Sequence, residues 1–179
     1  MNSVFHEIYT KYHQDLFQFL FYMVKNREEA EDLAQEVYIR VMRSYEKFEG
    51  KSSEKTWLFS IAKNVAIDHF RKQKNWKDRL YEKFDWDRQQ IKDSAPMPEE
   101  MTLQNAEVQI LYQCLDECPT NHRIVLVMRY LNGLSIAETA EVLKWTESKV
   151  KTTQHRALKS LRAIIENKQG KEGDHHAPI

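Results

Sequence analysis

From Val4 to Val24 the apolar positions fall at Val4, Ile8, Tyr12, Leu16, Phe19, Leu20 and Met23, the three-and-four spacing that gathers side chains on one helix face. Asn26 stands where an N-cap belongs, with Glu29 three residues on to complete a capping box. The helix it opens turns Ala30, Leu33, Ala34, Val37, Val41 and Tyr45 inward and leaves Glu28, Glu31, Asp32, Gln35, Glu36 and Arg40 on its other faces. Gly50 interrupts the pattern and Lys51-Ser52-Ser53 reads as a loop ending in an N-cap. A third helix, Thr56 to about Lys74, buries Trp57, Leu58, Ile61, Ala62, Val65 and Phe70. Three such helices can close a small core of their own.

Periodicity then fades between Asn75 and Met101, where Pro96 and Pro98 are the only closely spaced prolines, and this stretch reads as an interdomain linker. Helical spacing returns over Leu103–Leu115; Pro119 opens another helix through Tyr130, which Gly133 ends. Ser135 with Glu138 forms a second capping box, Thr146 caps a further helix, and the two helices are joined by a tight turn. On the last helix Val150, Ala157, Leu158 and Leu161 form an apolar stripe, and Lys149, Thr152, Thr153 and Arg156 share another face. A short, polar, basic face opposite a packed one is what reading a DNA major groove requires. The expected fold is all-α: two small helical domains over 1–75 and 102–166, joined by a flexible linker over 76–101 and followed by a disordered tail over 167–179.

Bulk charge alone gives no pull toward nucleic acid, because 27 Lys and Arg balance 27 Asp and Glu. The charge is segregated instead. Residues 146–162 carry Lys149, Lys151, Arg156, Lys159 and Arg162 against Glu147, a net of +4. Residues 60–80 carry Lys63, Arg71, Lys72, Lys74, Lys77 and Arg79 against Asp68 and Asp78, again +4. The intervening 81–107 holds seven acids against three bases, so two basic patches flank an acidic connector and suggest two contacts on one polyanion. No apolar run reaches the length of a membrane span, no secretory signal opens the chain, and two cysteines make no disulfide framework; the reducing cytoplasm is the expected location. The chain has no phosphate-cradling glycine loop, nucleophile elbow or paired catalytic carboxylates, so neither an enzyme activity nor a small-molecule substrate is expected. Cys114, Cys118 and His122 fall at four-residue intervals, but Pro119 breaks the helix between them and no fourth ligand is evident. They read as small buried thiols beside a histidine, with no metal and no cofactor.

Taken together, the two halves resemble the bacterial RNA polymerase sigma factors of the extracytoplasmic-function (ECF) branch, region two followed by region four with region three missing. The likeness is carried by Asn26-Arg-Glu-Glu-Ala-Glu-Asp-Leu-Ala-Gln-Glu-Val-Tyr38, by Phe48 through Lys72, by Cys118-Pro-Thr-Asn-His-Arg123 and by the helix-turn-helix at 134–161. It covers residues 5–165 apart from the linker. Lys149-Val-Lys-Thr-Thr-Gln-His-Arg156 also resembles the sigma-X type of Gram-positive bacteria.

The resemblance implies a promoter-specificity subunit whose partners are core RNA polymerase and promoter DNA. It implies that the helix bearing Asp32, Gln35 and Glu36 docks on the polymerase clamp. It further implies that Gly50, Lys51, Ser52, Ser53, Lys63, Asn64, Asp68 and Arg71 meet a melted downstream promoter element, with Asn64 reading an unpaired base edge. Lys149, Lys151, Thr152, Thr153, His155 and Arg156 are implied to contact a duplex upstream element. An inhibitory anti-sigma partner, membrane-bound in many members, is implied as well. Two other readings stand beside this one: a free-standing helix-turn-helix regulator, and an all-helical adaptor that binds only protein. Taken alone, Asp32, Gln35 and Glu36 would be a solvated helix face, and Arg71, Lys72 and Lys74 would be cations favoured at a helix C-terminus. Lys144 occupies the helix-turn-helix position where many such motifs have Gly; a positive φ there disfavours a side chain by roughly 1 kcal/mol.

Overall fold

The computed structural model describes residues 2–73 and 106–173, which form helices and short connections. The helices are α1 (Asn2–Val24), α2 (Arg27–Ser44), α3 (Glu54–Gln73), α4 (Ala106–Glu117), α5 (Thr120–Leu126), α6 (Ile136–Leu143) and α7 (Glu147–Gly173). The linker expected over 76–101, and the start of α4 expected at Leu103, lie outside the described residues. No helix among those described is long and apolar enough to cross a membrane.

Local chemistry sets most of the boundaries. Asn26 is extended (φ −137°, ψ 127°) and its side chain accepts the Glu29 N–H at 3.1 Å. The expected reciprocal bond is not made: the Glu29 carboxylate turns to His69 Nε2 on α3, 3.1 Å away. Ser53 caps α3 by accepting the Thr56 N–H at 3.1 Å. The capping box of α6 is complete, with Ser135 Oγ accepting the Glu138 N–H at 3.1 Å and Glu138 Oε2 accepting the Ser135 N–H at 2.7 Å. After Leu126 the helix continues as one wide π turn over Val127–Leu131, and Gly133, at φ +69°, ends it.

In the first half α1 packs on α2 and α3, and α2 on α3. The core there is Ile8, Leu16, Phe19, Leu20 and Met23 from α1, Ala30, Val37 and Val41 from α2, and Leu58, Phe59, Ala62 and Phe70 from α3. Each large side chain fully buried this way contributes about 1.5–3 kcal/mol. In the second half α7 packs on α4, α5 and α6, around Ile124, Val127, Met128, Val142, Leu143, Val150 and Ala157. The two sets are not separate cores: the buried residues form one contiguous cluster across both halves. Tyr22 of α1 stacks on Tyr112 of α4 with centroids 5.4 Å apart and planes 12° apart.

A buried polar node reinforces this joint. The Arg123 guanidinium, 4% exposed, donates to the carbonyls of Leu115 (3.0 Å), Asp116 (2.7 Å) and Cys118 (3.3 Å) at the end of α4, and reaches the Tyr22 carbonyl at 3.5 Å. Burial pushes its pKa down to about 10. Lys25, in the left-handed region at φ 57°, is buried with its ammonium on the Tyr22 ring and paired with the Asp116 carboxylate. Burial and then the Arg123 charge push that amine down to about 7; Asp116 is the counter-charge that favours its protonated form.

Two sequence expectations need correction here. α7 does not stop at 166 but continues to Gly173, because Ile164 and Ile165 are still partly covered and Lys168 Nζ reaches Glu117 at 2.6 Å; the tail expected from 167 is therefore helical through 173. Leu158, expected in the apolar stripe, is 41% exposed, because the buried phase of α7 runs through Val150, Thr153 and Ala157 instead.

Candidate nucleic-acid and protein interfaces

The joint between α6 and α7 fixes how the last helix is presented. Lys144 adopts φ 58°, ψ 38°, and its N–H bonds back to α6 while the Trp145 N–H reaches the Ala140 carbonyl at 3.0 Å, the pairing of a Schellman ending. The position thus carries the left-handed backbone that Gly favours, occupied by Lys. Thr146 Oγ1 then accepts the Lys149 N–H at 3.1 Å and starts α7. Arg129, in the π turn, donates to Gln154 Oε1 at 2.8 Å and to the Leu134 carbonyl, tying α7 to the chain before α6.

On α7 the side chains of Ser148, Lys151, Thr152, His155, Arg156 and Lys159 are all exposed, at spacings of three, one, three, one and three that make one continuous stripe. Of the expected upstream contacts, Lys151, Thr152, His155 and Arg156 lie on it. Lys149 is exposed at its edge with its ammonium 4.1 Å from the Trp145 ring centroid. Thr153 is corrected: at 8% exposure it packs inward, one position between Val150 and Ala157. Ser148 and Lys159, not among the expected contacts, share the stripe; phasing the helix on the two residues buried at 0%, Val150 and Ala157, puts them there.

The first half presents a second surface. Gly50, at φ +69°, turns the loop between α2 and α3. There Lys47, Phe48, Glu49, Lys51, Ser52 and Trp57 line a concavity of about 170 Å³. Its aromatic wall is Trp57 against Phe48, centroids 4.8 Å apart, backed by Tyr45 at 6.0 Å. Trp57 is half-buried, so it serves both core and wall. Asn64 and Arg71 are exposed along α3, with Asp68 between them held by Arg40 at 3.0 Å. Lys63 does not join them. It is 5% exposed, and burial and then the Lys144 charge push its pKa down. Ser53, also expected on this surface, has its hydroxyl 3.2 Å from Glu138 Oε1.

On α2, Asp32 and Gln35 are exposed, and Glu36 accepts from Arg40 Nε at 2.9 Å. Arg40 therefore links Glu36 to Asp68, and both carboxylates hold its pKa up. Beside Gln35 runs a groove of about 680 Å³ between α1 and α2, bordered by Phe5, Tyr9, His13, Phe17 and Tyr38. Phe5 and Tyr9 are 39% and 40% exposed. This aromatic row was not anticipated; its four-residue repeat along α1 is the signal that would have found it. Cys114 and Cys118 are buried, as the sequence suggested, and burial pushes the Cys118 thiol up to about 11.

A helical core that carries a helix-turn-helix with an exposed basic stripe on its last helix has the build of a DNA-binding protein. The sigma-70 region 2 family matches residues 8–75, and the sigma-70 region 4 family matches residues 108–161. The chain is 54% identical to the ECF RNA polymerase sigma factor SigX of Bacillus subtilis over 93% of its own length and 86% of that protein. It is 31% identical to the ECF sigma factor SigW of the same organism, covering 89% of this chain and 88% of that one. The chain belongs to the ECF RNA polymerase sigma factors: it directs transcription initiation, and it is not itself an enzyme. Its fold is similar to that of RpoE from Bartonella quintana in a complex with the anti-sigma factor NepR, at a TM-score of 0.74 and 20% identity over 93% of this chain and 98% of that one. It is also similar to CnrH in complex with the cytosolic domain of CnrY, at a TM-score of 0.66 and 18% identity over 93% of this chain and 90% of that one.

Proposed function

We propose that the three exposed surfaces divide the work of initiation. The α7 stripe of Ser148, Lys151, Thr152, His155, Arg156 and Lys159 takes the upstream element as duplex. The loop concavity with Trp57 and Phe48, together with Asn64 and Arg71, takes the opened downstream element; an aromatic wall beside a lysine suits an unstacked base and its phosphate. The α2 face of Asp32 and Gln35 docks on core polymerase, with Glu36 orienting Arg40 rather than standing free. The observation that carries this reading is the α7 stripe: all six of its side chains are exposed, and three are cationic with no acid among them. The protein works in the cytoplasm, and a protein of the anti-sigma class is its regulatory partner, as NepR is an anti-sigma factor bound to RpoE in one complex of similar fold.

The test is transcription by sigma-free core polymerase with this chain on fragmented bacterial DNA, start sites being mapped. Discrete starts sharing two spaced upstream motifs are expected. Arg156→Ala should weaken use of the more distant motif by about 1–3 kcal/mol, the value of one good base contact. Equal use of all starts by the variant would remove Arg156 from the interface. Tight operator-like binding without polymerase would favour a free-standing regulator.

A further inference from the structure

A carboxylate stands in the middle of the α3 surface proposed above for the opened downstream element. Asn64, Asp68 and Arg71 share one face of that helix at spacings of four and three, and Asp68 is its only acid after Glu54 in the first turn. A bare carboxylate there would repel the phosphates of a strand held by Asn64 and Arg71. Asp68 is not bare. Arg40 reaches across from α2 and sets Nη1 3.0 Å from Asp68 Oδ2. The same guanidinium is fixed one turn back on its own helix, where Arg40 Nε donates to Glu36 Oε1 at 2.9 Å. Glu four residues before its cation is the favourable order for a helix pair, and the rigid fork of a guanidinium holds two carboxylates in fixed geometry. Glu36 first, and Asp68 after it, hold the Arg40 pKa up. The three side chains are between 36% and 45% exposed, so the link lies at the surface and outside the core.

We propose that Arg40 is a positioning residue for the downstream promoter strand: it neutralises Asp68 and keeps that carboxylate turned to α2, so that Asn64 and Arg71 meet the strand across a face with no unpaired acid. The inference rests on α3 being the downstream surface. Glu36 serves the same end, because it fixes the guanidinium where it reaches Asp68. The helix that faces polymerase thereby conditions the helix that faces DNA, through three side chains. Arg40 itself stays off the strand. Its removal leaves Asp68 unpaired among the phosphates. Removing the Asp68 charge as well abolishes the repulsion, and the need for Arg40 goes with it. Charges this exposed are well screened, so the effect is several-fold and not larger.

The experiment uses the full chain bound to core polymerase and a fluorescent oligonucleotide from the non-template strand of a start mapped by transcription. Affinity is read by anisotropy, and thermal midpoints of the free chains are measured alongside. Arg40→Met keeps the stem of the side chain and removes its charge, Asp68→Asn removes the charge that it answers, and a third variant carries both. Arg40→Met should bind the oligonucleotide about fivefold more weakly, the upper range for an exposed ion pair, and the deficit should shrink as salt is raised. The double variant should return to within about twofold of the unmodified protein, and Asp68→Asn alone should bind no more weakly than that protein. If the pair only held α2 against α3, both single variants would lose thermal stability and affinity together, at every salt concentration, and the double would not recover; that pattern would overturn the proposal. A double as weak as Arg40→Met, or weaker binding by a thermally normal Asp68→Asn, would put Arg40 or Asp68 itself on the strand and overturn it too. Normal oligonucleotide binding by all three variants would remove α3 from the downstream surface, which is the failure of that reading and not of the Arg40 link alone.

Discussion

Two lysines share an unusual backbone and hold it for different reasons. Lys25 and Lys144 both have φ near +58°, a region that costs a residue with a Cβ roughly 1–2 kcal/mol. Lys25 is buried and paired with Asp116 across the joint between the halves, so its side chain offsets the backbone cost. Lys144 is exposed and faces a like charge. Lys144→Gly should therefore stabilise the chain by about 0.5–1 kcal/mol, while Lys144→Ala, which keeps the Cβ, should recover little of it. Denaturant titration of both variants checks this, and equal midpoints would mean the turn relaxes in solution. The sequence flagged Lys144 because helix-turn-helix spacing marks that position. It gave no signal for Lys25, where the left-handed turn follows from an N-cap arriving two residues after α1 ends.

At the scale of the element, what was legible is what depends on near neighbours. Caps at Asn26, Ser53, Ser135 and Thr146 all form, because each needs only a backbone N–H three residues away. Helical phase was legible on α2, but failed by one position on α7. Leu158 is apolar yet solvent-facing, and Thr153 is polar yet inward, so hydrophobicity alone selected the wrong flank. The π turn at Val127–Leu131 carries no compositional mark at all. The Glu138 carboxyl is held below its ordinary 4.5 chiefly by the Ser135 backbone N–H, then by the Ser135, Thr56 and Ser53 hydroxyls. A depressed acid stabilises the fold fully above its unfolded pKa and loses that contribution as pH falls through the folded one. Unfolding followed by circular dichroism should thus show an acid limb below pH 4.5 that Glu138→Gln flattens. An unchanged limb would assign the acid sensitivity to other carboxylates.

Across the whole molecule, the sequence divided the chain correctly into two helical halves but expected each to keep its own core. What joins them is a set of contacts between residues far apart in the chain: Tyr22 with Tyr112, Asn132 with the Asp15 carbonyl, Arg123 with the Tyr22 carbonyl, and Lys25 with Asp116. None has a local spacing to betray it, and the charged ones read as ordinary surface. Asp116→Asn should strand the Lys25 ammonium beside Arg123, a loss of roughly 3 kcal/mol for a buried pair broken on one side. Replacing both, Lys25→Met with Asp116→Leu, should restore most of it, since removing a buried pair together spares the uncompensated charge. Thermal unfolding of Lys25→Met, Asp116→Leu and the double completes the cycle; an additive double would mean the pair is not formed.

The wide turn over Val127–Leu131 bears on how this chain is compared with its relatives. A π turn holds one residue more than the α turn it replaces, and the residues beyond it are rotated by a full helical step. A homologue without that extra residue would need a one-position gap here before its helix-turn-helix could superpose, although nothing in residue type announces where the gap belongs. Placed a few positions away, the gap would match Arg129, the residue that steadies α7 through Gln154, to a side chain on the wrong side of the helix. Residue equivalences through this helix are therefore better drawn from backbone hydrogen bonding than from the letters of the sequence.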